Sequence, residues 1–324
     1  MIVEKIDNGW GTQWPVKQLE GEILAQYLLP VIVDRSSTVL VNSTWYQSDS
    51  HQETLNYIKT LAPSRIVLVA MLDAPIPQPD WFNSVCNHVD GVGYYPGSGH
   101  IDFWALLANK HLVPPTDVTA DYIDTAYMCL NRKPHWHRRQ LYQRLTTMNL
   151  LDQGLVSMGI DGDTPARIIP NDNNAECDIA PHIGRDQYGI SNDIVSIGNL
   201  HNWRRCFINI VTETEFDINR TYFVSEKIYK PIIGQKPFLV HAADGAHAWL
   251  TDRGFLPYTA DFTEITDLDL CVANNIPEFL SALCKQPKSY WQHKTVQLQE
   301  KITYNKQQFL KYVHQQTQHI LNGI

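Results

Sequence analysis

"TVLVNSTWYQSDSHQETLNYIKTLAPSRIVLVAML", residues 38–72, decides the fold class. Its ends, TVLVNSTW (38–45) and SRIVLVAML (64–72), are rich in branched apolar residues and bounded by polar turns, which is the pattern of strands. Between them HQETLNYIKTLA (51–62) puts Leu55, Ile58 and Leu61 on one face at helical spacing. Continuous apolar strands separated by a helix predict a parallel sheet covered on both faces, hence an α/β fold.

The alternation continues outward. HIDFWALLANKHL (100–112) predicts another helix, and VPPTDVTAD (113–121), with two prolines among polar residues, predicts a linker. The pattern then restarts. AYMCL (126–130) reads as a strand, and NRKPHWHR (131–138) as a loop entering the helix RQLYQRLTTMNLLDQG (139–154). Gly154 is the expected left-handed stop of that helix. CFINIVTET (206–214) and PFLVH (237–241) read as strands, Gly245–Arg253 as a helix closed by Gly254, and Lys288–Leu321 as a polar helix. Residues 158–203 are loop-rich. The expectation is an N-terminal domain over 1–118, a second domain over 119–290, and a last helix, 291–324, crossing back to the first.

The chain has 324 residues, enough for about two domains at ~150 residues each. Hydrophobic residues make up 44% and charged residues 19%, which leaves ample material for a core. A net charge of -8 argues against a general nucleic-acid binder. No apolar run reaches the ~18 residues of a membrane span, and the first residues lack the pattern of a secretory signal. Six scattered cysteines without a CxxC pair suit reduced thiols, so a cytoplasmic location is expected. There is no GxxxxGK(S/T) loop, which argues against a P-loop phosphotransferase.

Two loops in this acidic chain carry concentrated charge. Residues 131–144 hold Arg132, Lys133, Arg138, Arg139 and Arg144 with His135 and His137, where a strand passes into a helix. Free amides and the helix dipole favour an anion there, and arginine forks match phosphate oxygens. An ordinary solvated helix face explains the same run about equally well. The second loop lies in YFVSEKIYKPIIGQKPFLV (222–240), read as a short strand, a turn, a helix start and a second strand. Ser225 suits an N-cap and Glu226 the first helical turn. Glu226 and Lys230, four apart, could simply be a helix-stabilising pair worth ~0.2–0.5 kcal/mol. Pro231 fits poorly with that simple role.

YFVSEKIYKPIIGQKPFLV resembles the donor-site motif of GT-B glycosyltransferases, closest to the α-1,3-fucosyltransferase group. CFINIVTETEF resembles the strand that precedes that motif, and LNRKPHWHRRQLY resembles the first strand–loop–helix of the same domain. The resemblance covers roughly residues 126–258. It implies a GT-B-like fold: two Rossmann-like domains with mostly parallel sheets facing a central cleft. It further implies a nucleotide-sugar donor, a glycan or other hydroxyl acceptor, and an inverting reaction.

Carried over by position, Glu226 would hold ribose or sugar hydroxyls, and Lys227 would contact the diphosphate. Arg132, Arg138 or Arg139 would supply a second cation, with Arg138 favoured. Asn131, Ser225 and Lys230 belong to the same donor loops, and Glu213 and Thr214 would line the cleft floor. Cations at the departing diphosphate would do the work of a metal, so no metal or other cofactor is expected. The base acting on the acceptor is sought in the first domain. Asp73, directly after a strand, is one candidate, although an Asp before APIPQP is more simply a turn former. His100 and Asp102, after YYPGSGH, are its rivals.

Weaker signals remain. DGD (161–163) has the spacing of an Asp-x-Asp metal motif but sits among turn formers, where a polar turn is the simpler reading. His135 and His137 lack an evident third zinc ligand. Aromatic clusters in the first half could stack on sugar rings or simply pack a core. A catalytically silent glycan- or nucleotide-binding protein of the same fold is the alternative to an enzyme.

Overall fold

The computed structural model describes residues 2–6, 38–43, 65–70, 91–95, 120–131, 134–159, 165–167, 200–213, 216, 224 and 226–323. The helices expected at 51–62 and 100–112, and the DGD turn, lie outside them. The chain divides into two compact units. One comprises Met1–Leu107, Gln187–Ile190 and Lys311–Ile324, the other Ala108–Asp186 and Ser191–Leu310.

The first unit contains a four-stranded parallel sheet in the order β1 (Ile2–Ile6), β2 (Thr38–Ser43), β3 (Arg65–Ala70), β4 (Gly91–Tyr95). Registers such as Val39↔Ile66 and Ile66↔Val92 run through it. The two branched apolar runs therefore supply adjacent parallel strands at Thr38–Ser43 and Arg65–Ala70.

The second unit holds a five-stranded sheet. Its strands are β5 (Thr125–Asn131), β6 (Gly154–Gly159), β7 (Pro165–Arg167), β8 (Cys206–Thr212) and β9 (Phe238–His241), in the spatial order β7-β6-β5-β8-β9. All neighbours pair in parallel except β7, which is antiparallel to β6. Every residue of β6, β8 and β9 is buried, as expected of parallel strands covered on both faces.

Six helices accompany these strands among the described residues. They are α1 (Trp136–Thr147), α2 (Leu200–Arg205), α3 (Tyr229–Ile233), α4 (Ala246–Asp252), α5 (Ile276–Cys284) and α6 (Lys288–Gly323). α5 buries Ile276, Phe279, Leu280 and Leu283 and packs on β5 and α1. Arg144 of α1 pairs with Glu278 of α5 across that contact. In α6, Trp291, Thr295, Leu298, Ile302, Asn305 and Phe309 form a buried stripe spaced three and four residues apart. The two polar members are satisfied. Thr295 Oγ1 donates to the Trp291 carbonyl (2.8 Å), and Asn305 accepts from the Leu256 amide (2.8 Å) while donating to the Leu256 carbonyl (3.0 Å).

The end of α1 corrects the expectation drawn from Gly154. The helix stops at Met148, and Asn149 takes the left-handed conformation (φ 55°). The Leu150 amide then bonds to the Leu145 carbonyl (2.9 Å) and the Asn149 amide to the Thr146 carbonyl (3.0 Å), the paired bonds of a Schellman cap. Asparagine tolerates this geometry because its short polar side chain costs little there. Gly154 is extended (φ -130°) and opens β6. It is needed for space, since a Cβ would lie 2.5 Å from the Tyr127 ring.

Candidate functional site

The topology picks out one place on the second sheet. β5 connects through α1 to β6 on one side, and β8 connects through α3 to β9 on the other. The boundary between β5 and β8 is thus a switch point, and open α/β sheets bind ligands at the carboxyl ends of the strands flanking such a point. Backbone pairing between β5 and β8 covers Thr125↔Cys206, Tyr127↔Ile208 and Met128↔Asn209. Towards the carboxyl end side chains join the strands. Asn209 Nδ2 donates to the Met128 carbonyl (3.3 Å), and the Thr212 hydroxyl donates to Asn131 Oδ1. The Asn131 amide also bonds to Ser157 Oγ (3.2 Å), which ties in β6.

α1 begins just beyond this seam. Leu141 and Leu145 face the core, and helical spacing brings His137 and Arg138 to the same face. Arg138, 4% exposed, donates from Nη2 to the carbonyls of Thr212 (2.8 Å) and Glu213 (3.0 Å). His137 Nε2 donates to the Glu213 carbonyl at 2.8 Å. The basic head of α1 is therefore bolted to the exit of β8. Asn131, Arg138 and the fully buried Glu213 meet at the switch point, whereas Arg139 faces solvent.

A layer of rings covers the same edge. Phe216 stacks on His137 (centroids 5.1 Å apart, planes at 22°), and His137 stacks on His241 at the end of β9 (6.1 Å, 17°). Trp136 meets His137 and Phe216 nearly at right angles, at 5.6 and 5.5 Å. Burial, helped by the Arg138 charge, holds both histidine pKa values down at about 4, so both rings are neutral at pH 7. Among the described residues, the buried Nδ1 atoms of His137 and His241 meet no hydrogen-bond partner. Burial pushes the thiols of Cys129 and Cys206 up to about 11, so neither is an activated nucleophile.

The second charged loop returns from β8 to β9. Val224 makes a single strand bridge, Glu226–Ile228 form a 3₁₀ turn that packs on β8, and α3 follows directly. Lys227 is half-buried, while Lys230 is buried with the rest of α3. Gly234 ends α3 against the indole of Trp203, where a Cβ would lie 2.5 Å from the ring.

Asp73, His100, Asp102, Arg132, Thr214 and Ser225 lie outside the described residues, and Glu226 is described by its backbone alone. The buried amine of Lys236, which meets no hydrogen-bond partner among the described residues and has a pKa lowered by desolvation, precedes β9 and so sits at the opposite, amino edge. Among the described residues no group of three or more His, Cys, Asp or Glu could hold a metal ion, and no helix is long and apolar enough to cross a membrane.

Sequence reasoning missed Thr212, Phe216 and His241 as part of this edge, and counted His137 in the basic loop and as a metal ligand rather than as a buried neutral ring. The available signal was helix phase, because Leu141 and Leu145 predict which neighbours turn inward. Comparisons of the chain with family models, with curated proteins and with solved structures gave no match.

Proposed function

We propose that the protein is a glycosyltransferase of the GT-B type, moving a sugar from a nucleoside-diphosphate donor to a hydroxyl acceptor. The second unit is the donor half and the first unit the acceptor half. The reading rests on Arg138, which is bonded to the carbonyls at the carboxyl end of β8, and on Lys227, which follows it in the next crossover, in the 3₁₀ turn packed on β8. That edge suits a diphosphate.

In the reaction, the bond between the anomeric carbon and the diphosphate oxygen breaks as the acceptor oxygen attacks from the opposite face. Negative charge grows on the leaving diphosphate, so fixed cations there stabilise the transition state more than the bound donor. Lys227 is the direct contact. Arg138, held by two carbonyls, contributes its charge from beneath and fixes the loop. Glu226 holds donor hydroxyls, and Asp73, or in its place His100 or Asp102, takes the acceptor proton.

Thermal shift of the full chain with GDP, UDP, ADP and CDP tests the donor site. A ligand at 100 times its Kd adds about 2.7 kcal/mol. A panel in which none raises Tm sinks the proposal. Sugar transfer that depends on added acceptor then separates an enzyme from a silent binder.

A further inference from the structure

We infer that Trp136 is the platform on which the nucleobase of the donor stacks, an inference that rests on the donor-site reading above. Trp136 opens α1, beside the switch point, and is 56% exposed although its two successors are 2% and 4% exposed. A large apolar ring left open at the ligand-binding edge of a sheet, and held there, differs from a stray surface residue. It is held by edge contacts to His137 and Phe216, at 83° and 84°. Those two rings are themselves stacked, so the indole stands upright against the pair.

The second observation is the place of the indole in the fold. Trp136 and Arg138 share the first turn of α1, which begins beyond the carboxyl end of β5 at the switch point, where open α/β sheets bind ligands. A nucleobase offers a π face to an indole, and stacking of this kind tolerates any base. Arg138, two residues on and bonded to the carbonyls of Thr212 and Glu213, sets its charge beside the same edge, on the side of the phosphates.

The test uses the full chain and three variants of probe. Calorimetric Kd values are measured for the best-binding nucleoside diphosphate, its sugar conjugate and inorganic diphosphate, with wild type, Trp136→Ala and Trp136→Phe. The expected result is that Trp136→Ala weakens the nucleoside diphosphate and its conjugate about tenfold or more, leaves inorganic diphosphate unchanged, and is partly rescued by Trp136→Phe. If wild type binds the nucleotide and Trp136→Ala binds it equally, the platform is wrong and the donor site stands. A loss confined to the sugar conjugate would assign the indole to the sugar and overturn the inference. An equal loss for inorganic diphosphate would mean that the variant damages the whole edge, which also overturns it. If wild type binds none of the three probes, the donor-site reading itself fails and the platform with it.

Discussion

His137 Nε2 lies 2.8 Å from the carbonyl oxygen of Glu213, 76 residues along the chain, and this bond fixes the tautomer of the ring. With Nε2 carrying the hydrogen, Nδ1 is a bare lone pair inside the protein, stacked in line with His241.

That arrangement predicts sensitivity to acid. Both histidines have folded pKa values near 4, below the ordinary 6.5, because burial and the Arg138 charge oppose protonation. The unfolded chain therefore takes up protons first as pH falls. Stability is complete above about pH 6.5 and declines between 6.5 and 4, each histidine costing about 2 kcal/mol by pH 5. His241→Phe keeps a ring in the stack and removes one titrating group. Urea unfolding at pH 7 and pH 5 should show a smaller loss in the variant than in wild type. Equal losses would remove His241 as a source of the dependence.

Arg138→Lys tests whether the seam depends on the reach of the guanidinium. One terminal nitrogen serves both the Thr212 and Glu213 carbonyls, and the ammonium of lysine sits one bond closer to the backbone, short of both. The expected cost is about 2–4 kcal/mol in urea unfolding, because buried carbonyls and a buried charge lose their partners. A variant as stable as wild type would show that the bonds to β8 contribute little.

Lys227→Ala should weaken nucleoside diphosphate binding about tenfold, the ~1.4 kcal/mol scale of one charge-assisted contact. Calorimetry reads this directly, and unchanged affinity would take Lys227 out of the phosphate site. Because side-chain cations neutralise the leaving group in this reading, EDTA should leave transfer unaffected. Strong inhibition would instead revive a metal role for the 161–163 turn.

Gly234→Ala probes a purely steric requirement. The backbone there is ordinary (φ -69°), but a Cβ would stand 2.5 Å from the buried Trp203 ring. Overpacking of this kind costs about 1–3 kcal/mol. Thermal unfolding should register it as a lower Tm, and an unchanged Tm would mean that the indole moves aside freely.

The strands were the most legible part of the sequence. Runs such as RIVLVA and CFINIVT read as strands, each forms one, and CFINIVT is buried along its whole length. Helix ends were less legible because two residues competed for the same job. Asn149 and Gly154 can both adopt a left-handed turn; Asn149 takes it, and Gly154 instead leaves space for the Tyr127 ring, which only the fold brings near. At the candidate site, charge density showed where a basic loop lies but not which members face inward. That required the phase of α1, which buries His137 and Arg138 and exposes Arg139. His241 and Phe216 carry no motif of their own. Their place follows from strand order, which local patterns do not encode.

The margins of the second sheet have a bearing on behaviour at high concentration. β7 is only three residues long, runs against its neighbour and begins on Pro165, which has no amide hydrogen to offer. β9, at the opposite margin, has four residues, all covered. Borders this short, one opening on a proline and the other covered, give an incoming strand from a second molecule little to zip onto, so growth into fibrils by sheet extension is disfavoured on these flanks.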